Sequence, residues 1–218
     1  MLKNMIIAID GEASSGKSTQ AKKVADYFGY SYLDSGAFYR AITLFFKKRG
    51  IITANRIDKN DLNKISLNSK YNDGKNLIYL NDEDVSNDIR SIGISEIVSD
   101  FAKEKTVREH VYKHLREFSK NQSTVIDGRD IGTVVFPNAD FKFFLYAKPE
   151  IRAKRRFSEI NKDDINYDSV LDNLNYRDIT DSTRKIAPLK KAYDAHSIDV
   201  SDLSIDQVFE KVLSIIEK

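Results

Sequence analysis

The sequence predicts an α/β fold built on a parallel β-sheet, and three observations lead to this prediction. Residues 6–10 and 124–128 are largely apolar and rich in β-branched side chains, as in strands that are buried on both faces. Strand and helix patterns alternate from residue 6 to residue 50, which is typical of βαβ units. Five segments have strand character: residues 6–10, 31–33, 124–128, 141–145 and 197–200. We therefore expect a five-stranded parallel sheet with helices on both faces.

The first quarter of the chain carries two strand–helix pairs. The first strand is followed by a helix whose apolar residues recur at helical spacing from Ala21 to Phe28. Gly29 fits the end of this helix, because glycine readily adopts the left-handed conformation that closes many helices. The strand at residues 31–33 leads into a second helix, which we expect to end at Gly50.

A small antiparallel sheet is predicted in the middle of the chain. Apolar and polar residues alternate over residues 65–71, and the turn signal Asn72-Asp73-Gly74 leads to a second strand at residues 77–80. A further turn precedes a short third strand that begins at Val85. We interpret this meander as an insertion into the α/β domain, at about residues 60–105.

The second half of the chain returns to strands and helices of the main domain. Helical spacing predicts three further helices, at residues 107–118, 150–160 and 169–184. Ser204 and Gln207 have the spacing of a capping box, in which each side chain bonds the backbone N–H of the other residue. A strongly amphipathic last helix follows. All these elements fit one domain that spans residues 1–218.

Composition argues against several classes of protein. Lysine and arginine number 35 against 33 acidic residues, so the net charge is only +2, whereas nucleic-acid and membrane-surface proteins usually carry a strong basic excess. Cysteine is absent, which removes disulfides and thiolate metal sites. No apolar run approaches the ~18 residues of a membrane span, and the first strand begins too early for a signal peptide. We expect a cytoplasmic protein that binds neither nucleic acid nor membrane.

The turn after the first strand matches a phosphate-binding motif. Gly11, four residues, Gly16, Lys17 and Ser18 form the G-x-x-x-x-G-K-[ST] pattern of a P-loop. Glycines let the backbone wrap a phosphate with inward N–H groups, and the following helix adds its positive N-terminal end. We expect Lys17 to reach the β- and γ-phosphates and Ser18 to offer its hydroxyl to Mg²⁺. A chance match is the alternative, but the strand before the loop and the helix after it favour phosphate binding.

A P-loop alone does not separate a kinase from a GTPase or an ATPase motor. A GTPase also needs an N-K-x-D motif after a strand and a D-x-x-G switch. Residues 161–164 match N-K-x-D but follow an arginine-rich helix, and the D-x-x-G match, Asp26 to Gly29, ends the P-loop helix. We interpret both matches as accidental.

Charged residues near the strand ends suggest a second anion site. Arg40 lies one turn into the second helix, and Asp127-Gly128-Arg129-Asp130 closes the strand at residues 124–128. The carboxyl ends of strands form the ligand crevice of open α/β sheets. Asp127 is a candidate Mg²⁺ ligand, directly or through water. Arg129 is a candidate clamp for an acceptor phosphate, with Asp130 as a hydrogen-bond acceptor. An ordinary Arg–Asp pair at a strand end is the alternative.

Three arginines lie on one face of the predicted helix at residues 150–160. Arg152, Arg155 and Arg156 are spaced i, i+3 and i+4. This basic face is a candidate for a lid, at about residues 150–170, that closes over ATP. The alternative is a solvated surface face, on which Arg155 pairs with Glu159 four residues later.

The next helix carries a second charged face. Arg177, Asp181 and Arg184 are spaced i, i+4 and i+7. One interpretation is a salt-bridged stripe on the surface. The other is a rigid anion clamp, in which one carboxylate holds two arginines in place. The spacing does not choose between these two interpretations.

Four blocks of sequence resemble a known family. They are spread over essentially the whole chain, and the third is much more specific than a P-loop. The blocks are Ile9-Asp10-Gly11 with Gly16-Lys17-Ser18-Thr19, Leu33-Asp34-Ser35-Gly36-Ala37-Phe38-Tyr39-Arg40, Asp127-Gly128-Arg129-Asp130-Ile131-Gly132-Thr133-Val134-Val135-Phe136-Pro137, and Arg177 through Ala187-Pro188-Leu189. On these residues the chain resembles the bacterial cytidylate kinases, which are P-loop nucleoside monophosphate kinases. The inserted meander looks like the monophosphate-binding subdomain of that family.

The resemblance implies a P-loop kinase fold and a monomeric enzyme that transfers the γ-phosphoryl group of ATP to CMP or dCMP, with Mg²⁺ as cofactor. The implied ATP-binding residues are Gly11, Glu12, Ala13, Ser14, Ser15, Gly16, Lys17, Ser18, Thr19, Arg152, Arg155 and Arg156. The implied acceptor contacts are Ser35, Arg177 and Asp181 to the sugar, Arg40, Arg129 and Arg184 to the phosphate, and Ser99, Arg108 and Asp130 to the cytosine edge. The implied catalytic residues are Lys17, Arg129, Arg155 and Arg184, and the implied metal ligands are Ser18 and Asp127.

Two positions depart from the family pattern. Glu12 stands where proline is common, and we expect its carboxylate to weaken nucleotide binding beside a triphosphate. Ser91-Ile92-Gly93-Ile94 replaces a more usual Thr-Pro-Glu-Val at the start of a helix.

The expected chemistry needs no side-chain nucleophile, because the oxygen of an acceptor phosphate is already anionic. We therefore expect in-line transfer without a covalent intermediate, in a cleft that the insertion and the lid close against water. Two other hypotheses remain open. One is a kinase for UMP or AMP, and the other is a nucleotide-binding regulator that does not turn over.

Overall fold

A five-stranded parallel sheet is the centre of the fold. The computed structural model describes residues 4–72, 74–159 and 166–218. Five strands of these ranges, β1 Ile6–Gly11, β2 Ser31–Asp34, β6 Thr124–Gly128, β7 Phe141–Tyr146 and β8 His196–Asp199, pair in parallel in the order β2-β6-β1-β7-β8. The prediction of a five-stranded parallel sheet is confirmed, and the P-loop strand β1 lies in its middle.

Helices cover both faces of this sheet. The α-helices of the described residues are α1 Lys17–Phe28, α2 Ser35–Lys47, α3 Lys59–Leu62, α4 Ile92–Ser95, α5 Val98–Phe101, α6 Lys105–Phe118, α7 Pro149–Glu159, α8 Tyr167–Thr183 and α9 Ile205–Ile216. A π-helical turn at Ile131–Val135 was not predicted. It lies within the sequence block from Asp127 to Pro137 and is separated from the end of β6 by Arg129 and Asp130. No helix in the described ranges is long and apolar enough to cross a membrane.

Alternate residues of the strands pack into two hydrophobic cores, one on each face of the sheet. Ile7 and Ile9 of β1 lie in a cluster with residues of α1 and α9, and Ala8 lies in the opposite cluster with residues of α2, α6 and the insertion. Successive side chains of a strand point to opposite faces of a sheet, so a strand buried on both sides needs apolar residues throughout. This explains why the run before the P-loop is continuously apolar.

The insertion forms a separate antiparallel sheet with strands β3 Leu67–Asn72, β4 Lys75–Leu80 and β5 Glu83–Asp84. The predicted meander is therefore present, but its third strand begins at Glu83, and the prediction that it begins at Val85 is wrong. Val85 is only 1% exposed and packs into the core of the α2 face, so the chain turns inward there.

Two helix-end predictions are confirmed. Gly29 closes α1 with a φ of 64°, and its match to a D-x-x-G switch is only a helix C-terminus. Ser204 and Gln207 form the capping box of α9. Three sequence predictions fall partly or wholly outside the described residues: the middle of the turn at residues 72–74, the N-K-x-D match at residues 161–164, and residues 160–165 of the predicted lid.

Candidate active site

The P-loop is built where β1 ends and α1 begins. Gly11 has a φ of 148°, and a Cβ atom there would meet the Leu145 carbonyl oxygen at 1.9 Å, so the position has room only for glycine. Gly16 precedes α1 in the left-handed conformation, with a φ of 84°. Ser14 also has a positive φ, 56°, which costs a non-glycine residue about 1–2 kcal/mol. Such turns place successive N–H groups around a concavity that suits an anion.

Lys17 is buried at the start of α1 although it carries a charge. Its Nζ donates to the Glu12 carbonyl oxygen and lies 3.4 Å from Ser15 Oγ. Burial and then the charge of Arg129 lower the pKa of Lys17 to about 7, against the opposing charge of Asp127. Burial and Arg129 outweigh the nearby carboxylates, so the charged form of Lys17 is disfavoured here, and a phosphate bound in the loop would favour it.

Asp127 ends β6 beside the P-loop and is also buried. Ser18 Oγ donates to Asp127 Oδ2 at 2.7 Å, and the Tyr32 hydroxyl donates to Oδ1 at 2.7 Å. Burial and then the charge of Asp34 raise the pKa of Asp127 to about 7, although Lys17 lowers it. The two residues predicted to hold Mg²⁺, Ser18 and Asp127, are therefore in direct contact.

The donor set at this point fits Mg²⁺. Among the residues that the structure describes, no group of three or more histidine or acidic side chains forms a metal cage. A hydroxyl and a single carboxylate suit Mg²⁺, because this ion keeps several waters and takes its remaining oxygens from substrate phosphates. Ser18 itself is exposed, which leaves the pair open to ligands from the cleft.

Asp181 on α8 holds two arginines in place. Its Oδ2 accepts from Arg129 Nε at 2.9 Å, and its Oδ1 accepts from Arg184 Nη1 at 3.2 Å. Of the two interpretations that the spacing left open, a carboxylate that holds two arginines is the one present, but the partner of Asp181 beside Arg184 is Arg129 and not Arg177. Arg129 comes from the end of β6, 52 residues away in sequence, so spacing along α8 alone did not reveal it.

Arg177 lies among other cations. Its Nε has no hydrogen-bond partner within the described part of the chain. Burial and then the charges of Arg129 and Arg40 lower the pKa of Arg177 to about 10, and Arg156 acts in the same direction. Cations that are held together in a half-buried place are typical of a site for a multiply charged anion.

Arg40 joins this cluster to the insertion. From α2 its Nη1 donates to Ser95 Oγ at 2.8 Å and to the Ile89 carbonyl oxygen at 3.3 Å. Both partners belong to the segment that follows the small sheet. Burial lowers the pKa of Arg40, and the nearby cations Arg156 and Arg90 lower it further against the charge of Asp34.

Asp130 is surrounded by donors on the acceptor side. Its Oδ2 accepts from Arg108 Nη2 at 2.6 Å and from the Tyr112 hydroxyl at 2.5 Å, and Arg184 Nη2 lies 3.6 Å from Oδ1. Three of the predicted acceptor residues, Arg108, Asp130 and Arg184, are therefore brought together. Ser99, the remaining predicted reader of the base, is half-buried on the short helix α5.

The predicted lid arginines do not share one open face. Arg152 is 2% exposed, and its Nε donates to the Ala147 carbonyl oxygen at 2.9 Å. Arg155 donates to the Val200 carbonyl oxygen at 2.7 Å, beyond the end of β8. Arg156 is partly exposed, and its Nη1 lies 3.2 Å from Glu159 Oε2. In this structure the three arginines therefore have different partners, and the alternative pair of Arg155 with Glu159 is wrong, because Glu159 pairs with Arg156.

Glu12 is paired inside the protein. Its Oε2 lies 3.2 Å from Arg152 Nε and accepts from the Ala147 N–H at 3.3 Å. Arg152 also pairs with Asp178 of α8, which in turn accepts from the Ala13 N–H at 3.0 Å. The sequence predictions did not include Asp178. The one signal for Asp178 in the sequence was its spacing, three residues before Asp181 on the same side of a predicted helix.

One further residue was missed. Asp10, buried at the end of β1, accepts from the N–H groups of Ile131 at 2.9 Å and Gly132 at 2.7 Å. Burial raises the pKa of Asp10 to about 6, although these two N–H groups lower it. Asp10 therefore fixes the π-helical turn that follows Arg129 and Asp130. A carboxylate at the end of a buried strand was the available signal.

Three other predicted residues lie in the P-loop or in the first turn of a helix. Ser35 is buried at the start of α2, and its Oγ donates to the Asp127 carbonyl oxygen at 2.7 Å. Thr19 is exposed in the first turn of α1. Ala13 is 2% exposed in a small cluster with residues of α7 and α8.

Comparisons with known proteins identify the family of the chain. Residues 7–218 match the cytidylate kinase family model. The chain is 46% identical over 217 residues to a cytidylate kinase from Fusobacterium nucleatum, covering 99% of this chain and 98% of that protein. It is 43% identical over 220 residues to a cytidylate kinase from Caldicellulosiruptor bescii, covering 100% and 97% of the two chains.

A solved structure supports the fold. The crystal structure of an uncharacterized protein from Eubacterium ventriosum has a TM-score of 0.53 and 13% sequence identity, and the match covers 99% of each chain. At this identity the likeness concerns the fold alone. The family model and the curated relatives, which agree over nearly the full length, decide the family. This chain belongs to the cytidylate kinase family of nucleoside monophosphate kinases.

Proposed function

We propose that this kinase transfers the γ-phosphoryl group of ATP to CMP or dCMP, giving CDP or dCDP. The observation that carries the proposal is the approach of Lys17 in the P-loop to Arg129 in the cluster held by Asp181, close enough for one charge to affect the other. A donor loop and an acceptor clamp therefore meet at the carboxyl ends of β1 and β6. Membership of the cytidylate kinase family supports this assignment.

The donor side consists of the P-loop and its supports. Backbone N–H groups of residues 11–19 wrap the phosphates of ATP, and Lys17 binds the β- and γ-phosphates. Lys17 leaves the Glu12 carbonyl oxygen and exchanges it for phosphate oxygens. Arg156 is the arginine of α7 best placed to reach the nucleotide, because Arg152 and Arg155 are already held by backbone carbonyls.

Ser18 and Asp127 would hold Mg²⁺, Ser18 through its hydroxyl and Asp127 directly or through water. When bound there, the ion neutralises charge on the β- and γ-phosphates. Tyr32 keeps the Asp127 carboxylate oriented by its hydrogen bond to Oδ1.

The acceptor side binds the monophosphate. Arg129 and Arg184 are pre-oriented by Asp181, so they bind the phosphate of CMP with little loss of side-chain freedom. Arg40 completes the phosphate site, while Ser35, Arg177 and Asp181 face the sugar. Asp130, with Arg108 and Ser99, reads the cytosine edge. Cytosine offers an N4 donor where uracil offers an O4 acceptor, so a fixed carboxylate favours cytosine.

The transfer step depends on position and charge. The acceptor oxygen is already anionic, so the protein needs no nucleophilic side chain, and Lys17, Arg129 and Arg184 stabilise charge on the transferred group. We infer that the insertion at about residues 60–105 moves when the cleft closes, since Arg40 links it to the phosphate site. The predicted lid at about residues 150–170 has a fixed base, because Arg152 anchors α7.

The test is an initial-rate panel with purified protein, ATP and Mg²⁺ over CMP, dCMP, UMP and AMP. We expect the highest kcat/KM for CMP or dCMP. A clear preference for AMP or UMP would assign the enzyme to a different monophosphate. If no CDP formed at all, the chain would be a nucleotide-binding regulator. Size-exclusion chromatography of the same sample tests the further expectation of a monomer, and fractionation of the native cells tests the expected cytoplasmic location.

A further inference from the structure

The backbone of Ala13 in the P-loop is held by hydrogen bonds at both its N–H and its carbonyl oxygen. Its N–H donates to Asp178 Oδ1 at 3.0 Å, and its carbonyl oxygen accepts from Arg152 Nη1 at 3.1 Å. The same Arg152 nitrogen also donates to Asp178 Oδ2. These three residues form a closed ring of hydrogen bonds, and Asp178 is the member that comes from another helix.

This ring immediately precedes the residue with the least favourable backbone. Ser14 has a φ of 56°, in the left-handed region that serine rarely adopts. A backbone of this kind persists only where its surroundings fix it. The ring fixes the peptide plane on the N-terminal side of Ser14, and with it the directions of the N–H groups that follow in the loop.

Asp178 is not needed to attach α8 to the protein. Val170 and Leu174 of that helix are buried against Ala13 and Ala153, and this apolar contact already joins α8 to α7 and the loop. The carboxylate also fixes the direction of the Ala13 N–H, which the apolar contact cannot do. Its charge also acts on the site, because it partly opposes the lowering of the Lys17 pKa that burial and Arg129 cause.

We propose that Asp178 is a positioning residue that sets the geometry of the P-loop for the phosphates of ATP. It acts through Ala13 and Arg152 and does not touch the substrate. Asp181, one turn later on the same helix, does the corresponding work for Arg129 and Arg184 on the acceptor side. One helix thus positions both halves of the cleft, with one carboxylate for each. This inference rests on the proposed function for the identity of the two substrates.

The experiment compares Asp178→Asn with Asp178→Ala, and uses Asp172→Asn as the matched control. Asp172 is an exposed carboxylate on the same helix and lies outside the site. Asparagine keeps an oxygen for the Ala13 N–H but loses the charge opposite Arg152, whereas alanine loses both. Steady-state rates are measured with ATP and CMP varied in turn. Calorimetric titration with a non-hydrolysable ATP analogue gives the affinity of the loop without turnover.

We expect KM for ATP to rise about fivefold to tenfold in Asp178→Asn and further in Asp178→Ala, with KM for CMP changed less than about threefold. The Kd of the analogue should rise by the same factor as KM for ATP, and Asp172→Asn should match the wild type. Unchanged KM and Kd for the nucleotide, whether or not kcat falls, would mean that Asp178 does not set the geometry of the loop, and an equal rise in both KM values would mean that its effect is not specific to the ATP side. Either result overturns the proposal. If the wild type formed no CDP, the proposed function would fail, while the titration would still decide the role of Asp178.

Discussion

Glu12 Oε2 lies 3.2 Å from Arg152 Nε, so the carboxylate in the P-loop sequence is neutralised within the protein. The sequence suggested that this carboxylate would oppose a bound triphosphate. In the structure, its side chain is turned to the base of α7 and away from the concavity of the loop. The pair therefore removes the conflict between an acidic residue and an anion site.

Glu12→Gln should leave ATP binding nearly unchanged, because the charge that it removes is already paired. We expect KM for ATP to change less than about threefold and kcat to stay within about twofold of the wild type. Initial rates at varied ATP with saturating CMP measure this. A tenfold fall in KM would mean that the carboxylate does repel the triphosphate.

Arg152→Met should destabilise the fold much more than Glu12→Gln. It leaves Glu12 and the half-buried Asp178 without their shared cation, and breaking a buried ion pair from one side costs about 3–5 kcal/mol. Since both carboxylates are partly exposed, we expect the lower end of this range, about 3 kcal/mol. Urea unfolding at pH 7 gives the free energy of unfolding, and a loss below about 1 kcal/mol would contradict the anchoring role of Arg152.

Lys17→Ala should lower kcat by about 100-fold or more, which is the usual effect of removing one group that stabilises the transition state. The fold should survive, because burial makes the charged lysine costly in the free protein and its partners are loop oxygens. The two measurements are the rate of CDP formation and the thermal unfolding midpoint. Activity near that of the wild type would rule out the proposed role of Lys17.

The features that the sequence predicted correctly depend on local patterns. The run from Ile6 to Asp10 is apolar because each face of β1 is buried, and Gly11 is glycine because Leu145 leaves no space for a Cβ atom. Capping at Ser204 and Gln207 likewise involves residues three apart. Such causes act over a few residues and therefore leave a readable pattern.

The features that the sequence missed depend on partners far apart in the chain. Arg152 has the spacing of a surface arginine, but Ala13 and Asp178 meet it from 139 residues before and 26 residues after. Asp181 similarly pairs with Arg129, which follows β6, and not with Arg177 of its own helix. Helical spacing specifies which side chains share a face, and tertiary packing decides what that face meets.

Arg184→Ala should impair use of the acceptor far more than binding of ATP. Its guanidinium donates to Asp181 and lies 3.6 Å from Asp130, both on the acceptor side. We expect KM for CMP to rise at least tenfold and KM for ATP to stay within about threefold. Arg184→Lys is the control, since it keeps the charge but not the planar fork, and should recover only part of the loss. An equal rise in KM for CMP and KM for ATP would show that the assignment of Arg184 to the acceptor side is wrong.

Asp127 gives the stability of the free protein a pH dependence whose sign follows from its pKa. Burial, with the charge of Asp34, raises that pKa from 3.8 to about 7 in the folded protein. The unfolded chain therefore loses its proton near pH 4, while the folded protein keeps it until about pH 7. Because the folded state binds more protons in this window, the contribution of Asp127 to stability is present at low pH and is lost as the pH rises.

Asp127→Asn should therefore gain stability relative to the wild type as the pH rises from 4.5 to 7. The Ser18 and Tyr32 hydroxyls can rotate to meet an amide, so the substitution removes the titration with little change of contacts. We expect the difference in unfolding free energy to shift in favour of the variant by on the order of 2 kcal/mol across this range. Urea unfolding at four pH values measures the difference, and parallel curves for the two proteins would show that Asp127 titrates normally.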